Sequence, residues 1–358
     1  MKLTAKQLVR AEIAAISAYP VHDAAGCIKL DAMENPWPLP LALRRELADT
    51  LAEVAINRYP DPHGDGLKDQ IKRVFSIPAE AEVLLGNGSD ELITLIAQAL
   101  ARPGAKLLAL EPSFVMYKLN ALFSGLDYVG VPLKPDFTLD LPAALAAIAE
   151  QQPAVVFVSY PNNPTGPRFG RDEVEAICDA APGLVVIDEA YQAFSSDSCM
   201  DLAGRLPNVI VMRTLSKLGL AGIRLGYAAG AADWIAELDK IRPPYNVNVL
   251  TQATARFALR HIEVFNQQAE RLRAERRRVD DALRGIAALD VFPSEANFIT
   301  VRAPDADALH QHLKERRILI KKLHGSHPLL DNCLRFTIGA PQENDALLDA
   351  LHSYFAKP

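Results

Sequence analysis

The chain has little from which to build a disulfide framework or a metal centre. Among 358 residues there are four cysteines, Cys27, Cys178, Cys199 and Cys333, and none falls in a CxxC pair. Free thiols in a reducing compartment are expected rather than crosslinks or a zinc site. His310 and His312 flank one residue, but no third ligand sits at metal spacing. Both are expected on a helix surface. No run of about twenty apolar residues occurs, so no membrane-spanning helix is expected. Lys6, Arg10 and Glu12 interrupt any signal-peptide core in MKLTAKQLVRAEIAAIS. Positive charge is not in excess either: the net charge is −6. That argues against a nucleic-acid or acidic-membrane partner. The one basic run, Arg271 to Arg278, is balanced by Glu275, Asp280 and Asp281 and reads as a solvated helix face. A cytoplasmic protein is expected. The chain also lacks a G-x-S-x-G elbow, a Walker loop and an internal repeat.

What is present is an alternation. Short apolar runs at 82–85, 106–110, 128–131, 154–159, 184–187, 209–212 and 225–228 are separated by helical stretches such as 89–100. Runs of this kind suit strands buried on both faces of a mostly parallel sheet, with helices covering it. After about Pro243 the character changes. A long helical stretch over 249–289 is followed by strands near 296–301, 318–321 and 333–338, with helices at 305–316 and from 343. The expected fold class is α/β, a large domain with a mostly parallel sheet flanked by helices, plus a smaller α+β domain. The expected boundaries are 1–45 for an arm and part of the small domain, 46–245 for the large domain and 246–358 for the small one. The chain is too long for one core.

Ligands bind open parallel sheets outside the carboxyl ends of the strands, and four apolar runs end there in polar groups. The run ending at Leu85 leads into Gly86-Asn87-Gly88-Ser89-Asp90-Glu91 and opens a helix. That reads as a phosphate cup, or as a plain helix cap at Ser89. The run ending at Tyr160 leads into Pro161-Asn162-Asn163-Pro164-Thr165-Gly166, an ordinary turn or a rigid loop whose asparagine can donate to a phenolate oxygen. The run ending at Ile187 leads into Asp188, with Tyr191 three residues on. A carboxylate at the end of a buried strand is costly unless paired. A pyridinium nitrogen would pair it, although a helix cap is the plainer alternative. The run ending at Met212 leads into Thr214, Ser216 and Lys217, with Arg224 seven residues beyond the lysine. Lys217 suits a Schiff base with the aldehyde of pyridoxal 5'-phosphate (PLP), and burial beside Arg224 should lower its pKa. Thr214, Ser216 and Arg224 could complete the phosphate cup.

In that order the set resembles the fold-type-I PLP-dependent aminotransferases, over essentially the whole chain. More narrowly it resembles the histidinol-phosphate aminotransferases, through KLDAMENPWPLP (29–40), NRYPDP (57–62), GNGSDE (86–91), TLSKLGLAGIRLGY (214–227) and CLRFTIG (333–339). The resemblance implies roles. Lys217 carries PLP, and Asp188 pairs its ring nitrogen. Asn163 and Tyr191 hold the phenolic oxygen, and Phe114 stacks on the ring. Ser89, Asp90, Ser216 and Arg224 bind the cofactor phosphate. Tyr59 reaches the phosphate of a partner subunit's PLP, which implies a homodimer. Arg335, helped by Tyr19 and Lys321, binds the substrate anion: the phosphate of histidinol phosphate in one half-reaction, the carboxylate of glutamate in the other. Met33, Phe114 and Lys321 depart from the residues most common at their positions. The implied reaction is transfer of the amino group of L-histidinol phosphate to 2-oxoglutarate. An aromatic amino-acid aminotransferase, or a PLP-dependent decarboxylase or lyase of a phosphorylated amino acid such as threonine phosphate, would use a similar set.

Overall fold

The computed structural model describes residues 2–18 and 23–356. Tyr19 lies outside the described residues. Among the described residues the strands are β1 (Ile28–Leu30), β2 (Glu82–Gly86), β3 (Lys106–Glu111), β4 (Asp127–Pro132), β5 (Val155–Ser159), β6 (Leu184–Asp188), β7 (Val209–Thr214), β8 (Gly226–Gly230), β9 (Asp290–Val291), β10 (Phe298–Arg302), β11 (Ile318–Lys322) and β12 (Cys333–Thr337).

They form two sheets. The larger has seven strands in the order β2-β8-β7-β6-β5-β3-β4. Its neighbours pair in parallel except at β8, which runs antiparallel to both β2 and β7. The carboxyl ends of β2, β7, β6, β5 and β3 therefore share one edge, as expected for an α/β sheet flanked by helices. The apolar runs that suggested these strands are buried on both faces: β5 and β6 have no exposed or half-exposed residue.

The smaller sheet has five strands in the order β1-β11-β12-β10-β9. β1 pairs with β11 in parallel, so a segment near residue 30 completes a sheet built from residues beyond 290. Its core gathers Leu30, Phe298, Val301, Leu334, Phe336 and Leu351.

The helical stretch expected over 249–289 is two helices, Val249–Arg260 and Ile262–Arg284, separated at His261. Their apolar faces serve different cores. Ala255, Ala258 and Leu259 pack under the large sheet, whereas Ala269, Leu272, Val279 and Leu283 pack against the small one.

Two surface expectations change. His312 is buried, with its Nε2 3.0 Å from the carbonyl of Ala350. The basic run is only partly solvated: Arg278 pairs with Glu275, but Arg273 donates to the Ala193 carbonyl and Arg276 to that of Ala296. Arg276 is desolvated enough to bring its pKa down to about 10. The four cysteines are unpaired. No described helix is long and apolar enough to cross a membrane, and no described cluster of His, Cys, Asp or Glu could hold a metal.

Candidate active site

The buried carboxylate of Asp188 is the first feature of the site. It ends β6 in register with Ser159 of β5 and Met212 of β7. Leu184, Val185, Val186 and Ile187 ahead of it are fully buried. Each contributes roughly 1.5–3 kcal/mol, which offsets the several kcal/mol that burying an ion costs. The carboxylate has two partners: the Tyr117 hydroxyl donates to Oδ2 at 2.8 Å and the Ala190 N–H to Oδ1 at 3.1 Å. Burial still pushes its pKa up to about 6 against these two bonds. A cation placed against it would be strongly favoured.

The second feature is a cradle of donors. Gly88 has φ of +82°, and a side chain there would strike the Arg224 guanidinium. A side chain at Gly226 would strike the backbone of Gly88 and Ser89. These glycines let β8 pass the start of the helix Ser89–Leu100 at close range; that helix start has no side-chain cap, and Ser89 and Asp90 line the cavity. Arg224 lies 3.4 Å from the Ser216 hydroxyl and 2.9 Å from Asp90 Oδ2. Thr214 donates to Ser216 at 2.9 Å. Hydroxyls, helix N–H groups and a guanidinium converge here, a donor set suited to a phosphate dianion.

Lys217 lines the same cavity as these features. Its Nζ donates to the Ala32 carbonyl at 3.2 Å and sits 5.9 Å from the centre of the Tyr191 ring. Its pKa falls to about 8, chiefly through burial and then through the Arg335 cation; Arg224 contributes less. The principal cation is thus Arg335, not the neighbour in sequence that was expected. A lysine so tuned has a substantial neutral fraction and can act as nucleophile or base.

Arg335, on β12, donates to Asn163 Oδ1 at 2.5 Å and to the Asp31 carbonyl at 2.9 Å. It bridges the two sheets, since Asn163 follows β5. Ser89, Asp90, Phe114, Asn163, Asp188, Tyr191, Thr214, Ser216, Lys217 and Arg224 all line one cavity of about 100 Å³. Phe114 and Asn163 also line an adjoining cavity of about 340 Å³, which holds Arg335 and Lys321.

The model for class I and II aminotransferases matches residues 25–351. The chain belongs to the class I and II aminotransferase family. It is 73% identical over 355 residues to the histidinol-phosphate aminotransferase of Chromobacterium violaceum, covering 99% of this chain and 100% of that one. To the enzyme of the same name from Neisseria meningitidis serogroup B it is 51% identical, covering 99% and 98%. Among solved structures, the histidinol-phosphate aminotransferase from Sinorhizobium meliloti in complex with pyridoxal-5'-phosphate matches with a TM-score of 0.86 at 24% identity, covering 97% of each chain. That is a likeness of fold.

As an aminotransferase the chain needs a group that can take up electrons, and its residues fit PLP. The cradle at Gly88 and Gly226 suits the phosphate, Asp188 suits a ring cation, and Lys217 suits an aldehyde. Tyr59 is not brought to this site: it is 80% exposed and stacked on Tyr245 at 4.6 Å. Sequence reasoning missed Tyr117, Ser159 and the Ala32 carbonyl, and singled out Met33 without placing it in the cavity. Tyr117 lies three residues after Phe114, a spacing that reads as ordinary helix packing. Only the fold shows that its hydroxyl meets Asp188.

Proposed function

We propose that the chain transfers the amino group of L-histidinol phosphate to 2-oxoglutarate, giving imidazole acetol phosphate and L-glutamate, a step of histidine biosynthesis. PLP is the cofactor. The observation that carries this reading is that Lys217 and the buried carboxylate of Asp188 line one cavity, and the Arg335 guanidinium lines a second that shares Phe114 and Asn163 with it. The names of the full-length relatives support the choice of substrate.

When bound, PLP supplies an electron sink for the bonds at the substrate α-carbon. The chain's own residues do the rest. Asp188 holds the proton on the ring nitrogen, and Tyr117 holds Asp188 by one oxygen. The N–H groups of Ser89 and Asp90, the hydroxyls of Thr214 and Ser216, and Arg224 bind the phosphate. Asn163 and Tyr191 donate to the phenolic oxygen, and Phe114 covers one ring face. Lys217 would anchor the cofactor and, with its amine free, would move the proton to and from the substrate α-carbon. Arg335 forks onto the phosphate of one amino donor and the α-carboxylate of the other, which a guanidinium accommodates in the same geometry. Lys321 adds positive charge beside it, and Tyr19 is assigned to the same anion.

A second copy of the chain completes the site. Ile56, Tyr59, Tyr245 and Leu250 are large apolar residues exposed over neighbouring segments, and Tyr59 would reach the partner's cofactor phosphate. The four unpaired cysteines suit a cytoplasmic protein.

Steady-state transamination of histidinol phosphate, histidinol and phenylalanine tests the reading. Loss of the phosphate removes charge-assisted hydrogen bonds of about 1.5–3 kcal/mol, so kcat/KM for histidinol should fall by about tenfold or more. Equal use of all three donors would contradict it.

A further inference from the structure

The larger cavity has a far wall that the reaction so far leaves unused. It is built from Glu111, Lys118, Tyr128 and His327, while Asn163 and Arg335 stand at the inner end. Glu111 is the last residue of β3, at the same sheet edge as Asp188. The segment that follows it is tied to the site: the Pro112 carbonyl accepts from Asn162 Nδ2 at 2.9 Å, and Ser113 donates to Asn162 Oδ1 at 2.9 Å. Asn162 adjoins Asn163, which accepts from Arg335. The Glu111 carboxylate is thus held in fixed relation to the guanidinium that anchors the substrate anion.

The carboxylate has one charged neighbour, Lys118, and one neutral ring, His327, beside it, and keeps acceptor capacity. Lys118 Nζ is 3.8 Å from Oε1, and His327 Nε2 is 3.8 Å from Oε2. Both distances exceed hydrogen-bond length, and a carboxylate offers about four lone-pair sites. The Leu329 N–H donates to His327 Nδ1 at 3.1 Å, which places the ring proton on Nε2, toward Glu111. Tyr128 also faces Glu111: burial of the ring, then the Glu111 charge and a side-chain hydrogen bond to it, keep the phenol neutral, and the remaining lone pairs of the carboxylate stay open. Room for the Glu111 side chain depends on Gly130 of β4, where a Cβ would land on the carboxylate.

We infer that Glu111 is a specificity-determining residue that accepts a hydrogen bond from the imidazole N–H of the amino donor. This rests on the substrate reading given above. With the donor's phosphate at Arg335 and its amine at Lys217, its third substituent is the ring, and the cavity leads that substituent toward Glu111. The second donor, glutamate, carries an anionic side chain into the same space. Lys118 flanks Glu111 and offsets the repulsion between the two carboxylates, and the neutral His327 ring presents its Nε2–H beside them. One wall thus holds an acceptor for the ring, and a cation and an N–H donor for the acid.

The test uses the cofactor-loaded protein with three donors: histidinol phosphate, a 2-aminoalkyl phosphate without the ring, and glutamate. The variants are Glu111→Gln, which keeps shape, and Gly130→Ala, which displaces the carboxylate while leaving Glu111 in place. In both, KM for histidinol phosphate should rise by about tenfold or more, the effect of losing one charge-assisted hydrogen bond. kcat should hold, KM for the ringless phosphate should stay unchanged, and KM for glutamate should not rise. Parallel losses on both phosphates, or no change on either, would overturn the inference. Failure of the unsubstituted protein to use histidinol phosphate would instead overturn the substrate reading, and the inference with it.

Discussion

Asp188 shows how one buried residue can be legible in sequence while its energetics are not. An acid closing the apolar run 184–187 had to be paired with something, and the position of Lys217 after the next strand suggested what. Tyr117, which sets one of its oxygens, gave no such signal, because a tyrosine at helical spacing reads as core. The consequence is a pH dependence. The folded carboxyl titrates near 6, above its ordinary value of 3.8. The folded cofactor-free protein therefore holds a proton that the unfolded chain releases, and its stability declines as pH rises from about 4 to about 6. Asp188→Asn removes that decline. Urea unfolding of the cofactor-free proteins should show the variant gaining on the parent between about pH 4 and about pH 6. A pH-independent difference would contradict the assignment. Lys217 carries the converse lesson. Its lowered pKa was foreseen from burial, which is the largest cause, and from Arg224, seven residues away, but the stronger cation is Arg335, 118 residues away along the chain and adjacent only through the fold.

At the scale of the element, the segment following β6 depends on one ion pair. Glu189 and Arg213 are both buried, with 2.7 Å between charged atoms. Glu189 also accepts from the Cys199 N–H and from the Ser198 hydroxyl at 3.0 Å. This closes the loop that carries Tyr191, and Arg273 and Arg276 clamp its other side by donating to the Ala193 and Phe194 carbonyls. Arg213→Ala leaves Glu189 charged and unpaired, which should cost about 3–5 kcal/mol in chemical denaturation. A cost below about 1 kcal/mol would mean that the pair behaves like an exposed one. The element boundaries were legible where the apolar period was unbroken, as in β5 and β6. They failed at His261, because the helical period continues through it while the core it serves changes.

At the scale of the molecule, the mostly parallel sheet was legible from alternating strands and helices, and the site edge from where the polar residues stand, whereas the strand order and the antiparallel β8 were not. β1 was harder to foresee, since its partner β11 lies nearly 300 residues away and three residues carry too little pattern. Assembly is the further step. Tyr59 stands out of its own cavity, 80% exposed, and its proposed role needs a second chain. Sedimentation should find a dimer, and Tyr59→Ala should weaken PLP binding by about tenfold, measured by equilibrium dialysis, through loss of a hydrogen bond to a charged phosphate. A monomer that binds PLP with unchanged affinity would refute that role.

The whole reading turns on the cofactor being anchored at one amine. Borohydride reduction of the PLP-loaded protein, followed by peptide mapping, locates that anchor directly. The expected result is a pyridoxyl group on Lys217, with no covalent label in Lys217→Ala. Label on a different lysine, or none on the unsubstituted protein, would contradict it.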